Sequence, residues 1–235
     1  MTHHNGLHTP VLNEDLREVA QGLIARYPNK RSAVLPLLFL VQSVEGYVTE
    51  NGMRDVAELL DLTSAQVLAA ASFYTMLKKR PQGEYLVSVC RNISCTHRGA
   101  RAVVAALEEH LAIGAGGTTE NAKFSLETAE CLATCDGAPA IQVNYEDFYN
   151  LTPEKAIDIC ERLARGEEVR GERGDPVLSS KEISYQTATA GLRIPSGEVA
   201  PERTIGGESP RADTAPGFRP KEPGTDGSGN GAGGD

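Results

Sequence analysis

Four of the five cysteines in this sequence occur as two closely spaced pairs. Cys90 and Cys95 have four residues between them, Cys131 and Cys135 have three, and 35 residues separate the two pairs. Thiolates at such spacing are a typical ligand set for a metal ion or a metal cluster, so the fold must bring the two pairs together. The fifth cysteine, Cys160, shares the apolar stripe of a predicted helix. We expect it to lie in the core, because free cysteine is among the most buried residue types.

Length and charge narrow the class of protein. The chain has 235 residues and a net charge of -9, which predicts one or two domains and argues against nucleic-acid binding, because a nucleic-acid binder presents a basic face to the phosphates. The longest apolar run, residues 33–41, is interrupted by Pro36 and is shorter than the roughly 20 residues of a membrane span. We therefore expect no direct membrane insertion.

The beginning of the chain and its cysteine content predict the compartment. Residues 1–10 lack the basic and apolar regions of a signal peptide, so we expect a cytoplasmic protein. In that compartment disulfides are rare, and five cysteines indicate metal or redox chemistry instead.

Composition changes near residue 171. Residues 171–235 contain 13 of the 24 glycines and 7 of the 13 prolines, without sustained helical or strand periodicity. Such a segment buries too little apolar surface to offset its chain entropy. We expect 171–235 to be an extended or disordered Gly/Pro-rich tail, within which residues 177–194 are the part able to lie along a partner.

Residues 13–80 are predicted to form a small helical bundle. Helix-start signals, among them a capping box of Thr63 and Gln66, predict four helices that begin near Asn13, Ser32, Gly52 and Thr63. Pro36 falls in the first turn of the second helix, where its missing N–H does no harm. Nothing in this bundle has the pattern of a catalytic site.

Residues 81–170 alternate between strand and helix patterns. Strands are predicted at residues 84–90, 123–127, 140–143 and 147–149, and helices at 100–111 and 153–165. Thr152-Pro153-Glu154 combines a cap, an N1 proline and a first-turn acid. This order indicates an α/β domain, so the whole chain is predicted to be an α+β protein with a helical bundle, an α/β domain and a tail.

Several kinds of site fit four cysteines at this spacing. A structural zinc site typically uses cysteine pairs separated by about two to four residues. Two irons bridged by two sulfides form a larger group that suits wider loops, although the plant-type ferredoxin spacing is absent. A Rieske centre would need two Cys-x-His pairs, and Cys95-Thr96-His97 supplies only one. From spacing alone, zinc and a two-iron cluster both remain open.

The residues around the cysteines favour an anionic cluster. A two-iron cluster with four thiolates is a dianion that reduction makes more negative. Arg98-Gly99 opens a helix whose N–H groups can face sulfur, and Asp136-Gly137 predicts a turn with further backbone donors. Side-chain hydroxyl donors are available at Ser94, Thr96 and Thr134.

Two motifs carry a resemblance to a known family. They read Val89-Cys90-x4-Cys95-x3-Gly99 and Glu130-Cys131-Leu132-Ala133-Thr134-Cys135-Asp136-Gly137-Ala138-Pro139, supported by residues 31–38, 71–76 and 151–154. Over roughly residues 13–166 the sequence resembles the E subunits of bacterial NADH-quinone oxidoreductase, the thioredoxin-like [2Fe-2S] ferredoxins of respiratory complex I. Ala133 stands where the family frequently has glycine.

The resemblance implies a specific electron-transfer role. In the family, the cysteines that match Cys90, Cys95, Cys131 and Cys135 ligate one [2Fe-2S] cluster beside a flavin-bearing, NADH-binding subunit. FMN and NADH would bind that partner, because no Gly-x-Gly-x-x-Gly follows a predicted strand here. The chain would then be one subunit of an oxidoreductase, with no complete active site of its own. It would sit peripherally on the cytoplasmic side of the membrane among further complex I subunits.

Two other functions stay open at this point. Similar subunits serve NAD-linked hydrogenases and formate dehydrogenases, and this sequence alone separates these complexes poorly. A zinc-stabilised interaction module without a redox role is the second alternative, and metal analysis with a visible spectrum discriminates it from the redox proteins.

Overall fold

A computed structural model describes residues 9–190 of the chain. The first half is helical, as predicted. Four helices, with a short 3-10 turn at Lys30–Ala33 before the second, are α1 Glu14–Ala25, α2 Val34–Glu45, α3 Glu50–Leu60 and α4 Ser64–Phe73. They pack around α2, whose Leu37, Leu38 and Leu40 are fully buried.

Local capping signals place the ends of these helices. The Asn13 side chain accepts a hydrogen bond from the Leu16 N–H at the start of α1, and Thr63 forms the predicted capping box with Gln66 at α4. Gly46 ends α2 with a φ of 83°, a left-handed conformation that glycine adopts without steric cost. The third helix begins two residues before the predicted start, because Thr49 caps it by accepting from the Gly52 N–H.

The second half forms a four-stranded mixed sheet with helices. Its elements are β1 Tyr85–Cys90, α5 Ile93–His97, α6 Ala100–Leu111, β2 Phe124–Ala129, β3 Ile141–Val143, β4 Glu146–Phe148 and α7 Pro153–Ala164. The strand order is β2-β1-β3-β4, with β1 and β2 parallel and the other neighbours antiparallel. The predicted fold class, a helical bundle followed by an α/β domain, is therefore confirmed.

One face of the sheet is covered by α6 and α7. The apolar side chains of these helices join those of the central strand in one buried cluster, which includes Val87, Val103, Leu107, Ile159 and Leu163. Because α6 is the crossover between parallel strands, the ends of β1 and β2 meet at the same edge of the sheet, together with the start of antiparallel β3. This edge carries the cysteines.

The segment after residue 171 departs from the expected extended or disordered tail. A further helix, α8 Ser180–Thr189, starts with a capping box of Ser179 and Glu182 and packs against α2. Its Ile183 is 2% exposed, and Lys181 Nζ donates to the Val44 carbonyl at 2.7 Å. The Gly/Pro count, taken over 65 residues, obscured a ten-residue helix that finds its apolar partner within this chain. The rest of the expected tail, residues 191–235, lies outside the described residues.

Within residues 9–190, no single helix is long and apolar enough to cross a membrane; only the pair α3 and α4, bent by 116°, meets that test jointly by length and composition.

Candidate metal centre

Parallel strand pairing brings one cysteine of each pair to the same sheet edge. Cys90 is the last residue of β1 and lies opposite Ala129, the last residue of β2. The Arg91 N–H continues the ladder by donating to the Ala129 carbonyl at 2.9 Å. Beyond this point Arg91 and Glu130 form an ion pair between the two loops. Cys131, which follows Glu130, therefore starts its loop beside the end of β1.

The second cysteine of the first pair returns to Cys90 on a short helix. Asn92 caps α5 by accepting from the Ile93 N–H at 2.8 Å, and Cys95 in this helix is buried. Burial raises the pKa of the Cys95 thiol to about 11; a backbone hydrogen bond from Ala140 opposes the rise, whereas the neighbouring Cys90 and Cys135 thiols add to it. Cys90, Cys95 and Cys135 are thus electrostatic neighbours, although Cys135 lies 40 or more residues from the other two in the sequence.

The loop from β2 to β3 holds the second cysteine pair. Ala133 has a φ of 59°, in the left-handed region that favours glycine, which is the physical reason for a glycine at this place in related sequences. The predicted Asp136-Gly137 turn is a short 3-10 helix at Cys135–Gly137. Gly137 is required there, because a Cβ atom would lie 2.2 Å from Cγ of Tyr149. A further clamp comes from Arg98, whose Nε donates to the Ala138 carbonyl at 2.7 Å.

Cys131 is placed differently from the other three cysteines. It is exposed, and its Sγ accepts a hydrogen bond from the Ala133 N–H at 3.3 Å. It also lines a cavity of about 480 Å³ whose walls include Ser88 of β1 and Gln42 of α2. Among residues 9–190, no three Cys, His, Asp or Glu side chains converge as a single-ion site requires. A two-iron cluster asks for only two thiolates at each iron, so it fits paired cysteines at one edge better than a mononuclear site does.

Comparison with known proteins identifies the family. Residues 20–164 match the family model of the thioredoxin-like [2Fe-2S] ferredoxins, which is more than half of the chain. The chain belongs to this ferredoxin family. Its cofactor is one [2Fe-2S] cluster.

Curated relatives of this ferredoxin are named as subunits of one enzyme complex. The NADH-quinone oxidoreductase E subunit of Mycobacterium tuberculosis is 45% identical over 165 residues, which cover 70% of this chain and 66% of that protein. A second-numbered NADH-quinone oxidoreductase E subunit of Rhizobium meliloti is 34% identical over 154 residues, which cover 66% of this chain and 92% of that protein. The chain thus spans slightly less than two thirds of the mycobacterial relative's length.

The fold of this ferredoxin also occurs in a solved hydrogenase structure. A chain of an NAD+-reducing [NiFe]-hydrogenase in the H2-reduced state matches with a TM-score of 0.52 at 21% identity, over 57% of this chain and 22% of that chain. At this identity the likeness concerns the fold alone.

The polar groups around the cysteines test whether a [2Fe-2S] cluster fits this ferredoxin. Of the predicted hydroxyl donors, Thr96 already donates to the Arg91 carbonyl at 2.8 Å. Thr134 is buried, and its Oγ1 has no hydrogen-bond partner. Such an orphaned donor next to Cys135 is what a site for an acceptor-rich anionic group requires. The donor set of four thiols and this free hydroxyl fits the cluster.

Cys160 lies in a different part of this ferredoxin. It is 1% exposed in α7 and belongs to the apolar cluster that contains Val87 and Leu163, whereas Cys90 and Cys95 belong to a separate cluster with Ala140. Burial raises the pKa of the Cys160 thiol to about 12. These surroundings agree with the expected core position.

Sequence reasoning missed the backbone groups that complete the site. The Ala140 backbone hydrogen-bonds to the Cys95 thiol, and the Ala138 carbonyl binds Arg98. Backbone groups are present at every residue and carry no sequence signal, so neither contact is visible before the chain folds. The pairing of Arg91 with Glu130 has a weak signal, because opposite charges each adjoin a cysteine.

Proposed function

We propose that this chain is the electron-transfer subunit of an NADH-quinone oxidoreductase, and that Cys90, Cys95, Cys131 and Cys135 ligate its [2Fe-2S] cluster. The observation that carries the proposal is the placement of both cysteine pairs at one sheet edge in a chain 45% identical to a protein named as the E subunit of that complex. When bound, the cluster accepts and returns one electron.

The protein's own groups hold and tune this site. Thiolates are the ligands of iron in such clusters, so cluster binding requires deprotonation of Cys95, a thiol that burial keeps protonated in the free site. The Arg91–Glu130 ion pair joins the two loops, and Arg98 joins α5 to the residues before β3. These links keep both cysteine pairs at the spacing that the cluster requires.

The electron partner is a neighbouring flavin-bearing, NADH-binding subunit, with further subunits of the same complex around it. FMN and NADH bind that subunit, and this chain lies on the cytoplasmic side of the membrane without inserting into it. The likeness to the hydrogenase chain concerns fold only, so the curated relatives favour the quinone-linked complex over an NAD-linked hydrogenase or formate dehydrogenase.

Metal content and reduction by NADH test the proposal. The purified chain is expected to be brown and to contain two irons and two acid-labile sulfides, because paired cysteines supply two thiolates per iron. NADH alone should leave it oxidised, and NADH together with the flavin-bearing subunit should reduce it, with dithionite as the control for full reduction. A colourless protein with one zinc per chain would contradict the proposal and favour the interaction module.

The midpoint potential of the cluster is expected to be low. Four thiolates make the oxidised cluster a dianion, and the incoming electron meets further negative charge in a chain of net charge -9. Arg91 opposes this weakly, since its side chain is 57% exposed and screened by solvent. We expect a value nearer the about -400 mV of plant-type clusters than the roughly -150 to +300 mV of Rieske centres. A redox titration followed by electron paramagnetic resonance measures it, and a midpoint above zero would contradict all-thiolate ligation.

A further inference from the structure

One hydroxyl group beside the cysteines has no hydrogen-bond partner. Thr134 directly precedes Cys135 and is 5% exposed. Its Oγ1 is the single buried side-chain oxygen or nitrogen without a partner in the part of the chain that the structure describes. Buried hydroxyls are normally paired, because an unpaired one has lost its bonds to water without replacement. This donor therefore requires an acceptor that the protein itself does not provide.

The local turn does not use this hydroxyl. The usual partner of a threonine hydroxyl in a loop is a nearby backbone group, as Thr96 illustrates by donating to the Arg91 carbonyl at 2.8 Å. At Thr134 the turn is closed by the backbone alone, since the Thr134 carbonyl accepts from the Gly137 N–H at 3.1 Å. A role of the hydroxyl in stabilising the turn is thus not supported.

The same loop already directs one donor at a cysteine sulfur. The Ala133 N–H donates to Sγ of Cys131 at 3.3 Å, so residues 133 and 134 present two successive donors between two cysteines. Cys135, the next residue, is an electrostatic neighbour of Cys95. Sulfur atoms are therefore the acceptors that the position of Thr134 favours.

We infer that the Thr134 hydroxyl donates a hydrogen bond to a sulfur of the [2Fe-2S] cluster and raises its midpoint potential. The inference rests on the proposed function, because it requires the cluster at these cysteines. Reduction adds negative charge to the sulfur atoms, so a donor stabilises the reduced state more than the oxidised state. Removing the donor lowers the potential.

Thr134→Val tests the inference, because valine keeps the branched shape and removes the donor. In the full chain we expect two irons and two sulfides to be retained. The one-electron equilibrium should shift about tenfold toward the oxidised state, which corresponds to about 59 mV. Thr134→Ser should keep a potential near that of the unsubstituted protein. The matched control is Thr189→Val, since Thr189 is also buried but donates to the Tyr185 carbonyl in α8; its potential should not change.

A spectroscopic measurement separates a hydrogen bond from a packing effect. After exchange into D2O, electron–nuclear double resonance of the reduced cluster should show an exchangeable deuteron that Thr134→Val lacks and Thr134→Ser retains. A Thr134→Val protein with a full cluster, an unchanged potential and the same deuteron signal would overturn the inference and leave the proposed function standing. Absence of iron and sulfide from the unsubstituted chain would instead refute the proposed function.

Loss of the cluster from Thr134→Val is resolved by Thr134→Ser and Thr134→Ala, which differ only in the hydroxyl. Retention in the serine protein with loss or a lowered potential in the alanine protein supports the hydrogen bond. Equal behaviour of the two would overturn it.

Discussion

Alanine at any one of Cys90, Cys95, Cys131 or Cys135 is expected to yield a protein without its [2Fe-2S] cluster. Each iron takes two of the four thiolates, so removal of one leaves an open iron position that water occupies and the cluster is lost. Iron and acid-labile sulfide should fall from two of each per chain to near zero, with loss of the visible absorption. Cys131 is the most informative position, because it is exposed and is not among the neighbours that raise the pKa of Cys95.

Cys160→Ala is the control for these variants. Cys160 is a buried core thiol in α7, and its loss should cost about 1 kcal/mol of the free energy of unfolding while leaving iron and sulfide unchanged. Bleaching of the Cys160 variant together with a full cluster in the Cys131 variant would contradict the ligand assignment. Circular dichroism of each protein shows that the comparison is between folded chains.

A chain ended after residue 178 is expected to lose about 3 to 5 kcal/mol of the free energy of unfolding. This truncation removes α8, whose Ile183 is buried on α2; burial of such a side chain is worth about 1.5 to 3 kcal/mol by itself. It also removes Ser184, the hydroxyl that accepts from Nε2 of buried Gln42 at 3.0 Å. Urea unfolding followed by circular dichroism measures the difference.

A chain ended after residue 190 is the matched control, because it retains every contact of α8 described above. Its free energy of unfolding should equal that of the full chain. Equal stability of the two truncated chains would show that α8 contributes nothing to the fold. Both chains should keep the cluster as long as they are folded, because α8 supplies no cysteine.

Helix positions were predicted well because their signals are local. The α6 prediction of residues 100–111 coincides with Ala100–Leu111, and Thr152 with Pro153 marks the start of α7 as expected. A cap and the turn it closes lie within four residues, so the responsible atoms are neighbours in sequence as well as in space. The missed helix α8 carries such a signal too, in Ser179 and Glu182, but its stability comes from α2, more than 130 residues earlier.

The cysteines were selected as candidate ligands by residue type and spacing, without knowledge of the fold. Spacing left zinc and a two-iron cluster open, because a list of thiols does not say which of them share a neighbourhood. Register decides that: Cys90 lies opposite Ala129 in the parallel pair, and this pairing is set by apolar side chains along both strands. The orphaned Thr134 hydroxyl likewise became distinct from that of Thr96 only through burial and hydrogen bonding.

The sequence by itself determined the helix caps, the order of elements and the set of thiols, since each depends on a residue's own chemistry or on its near neighbours. Only the tertiary structure decided that α8 packs on α2, that Arg98 binds the Ala138 carbonyl, and that Cys95 lies beside Cys90 and Cys135. These contacts join residues far apart in the chain, and their partners include backbone groups that every residue possesses. They follow from strand register and helix packing, which depend on the whole chain at once.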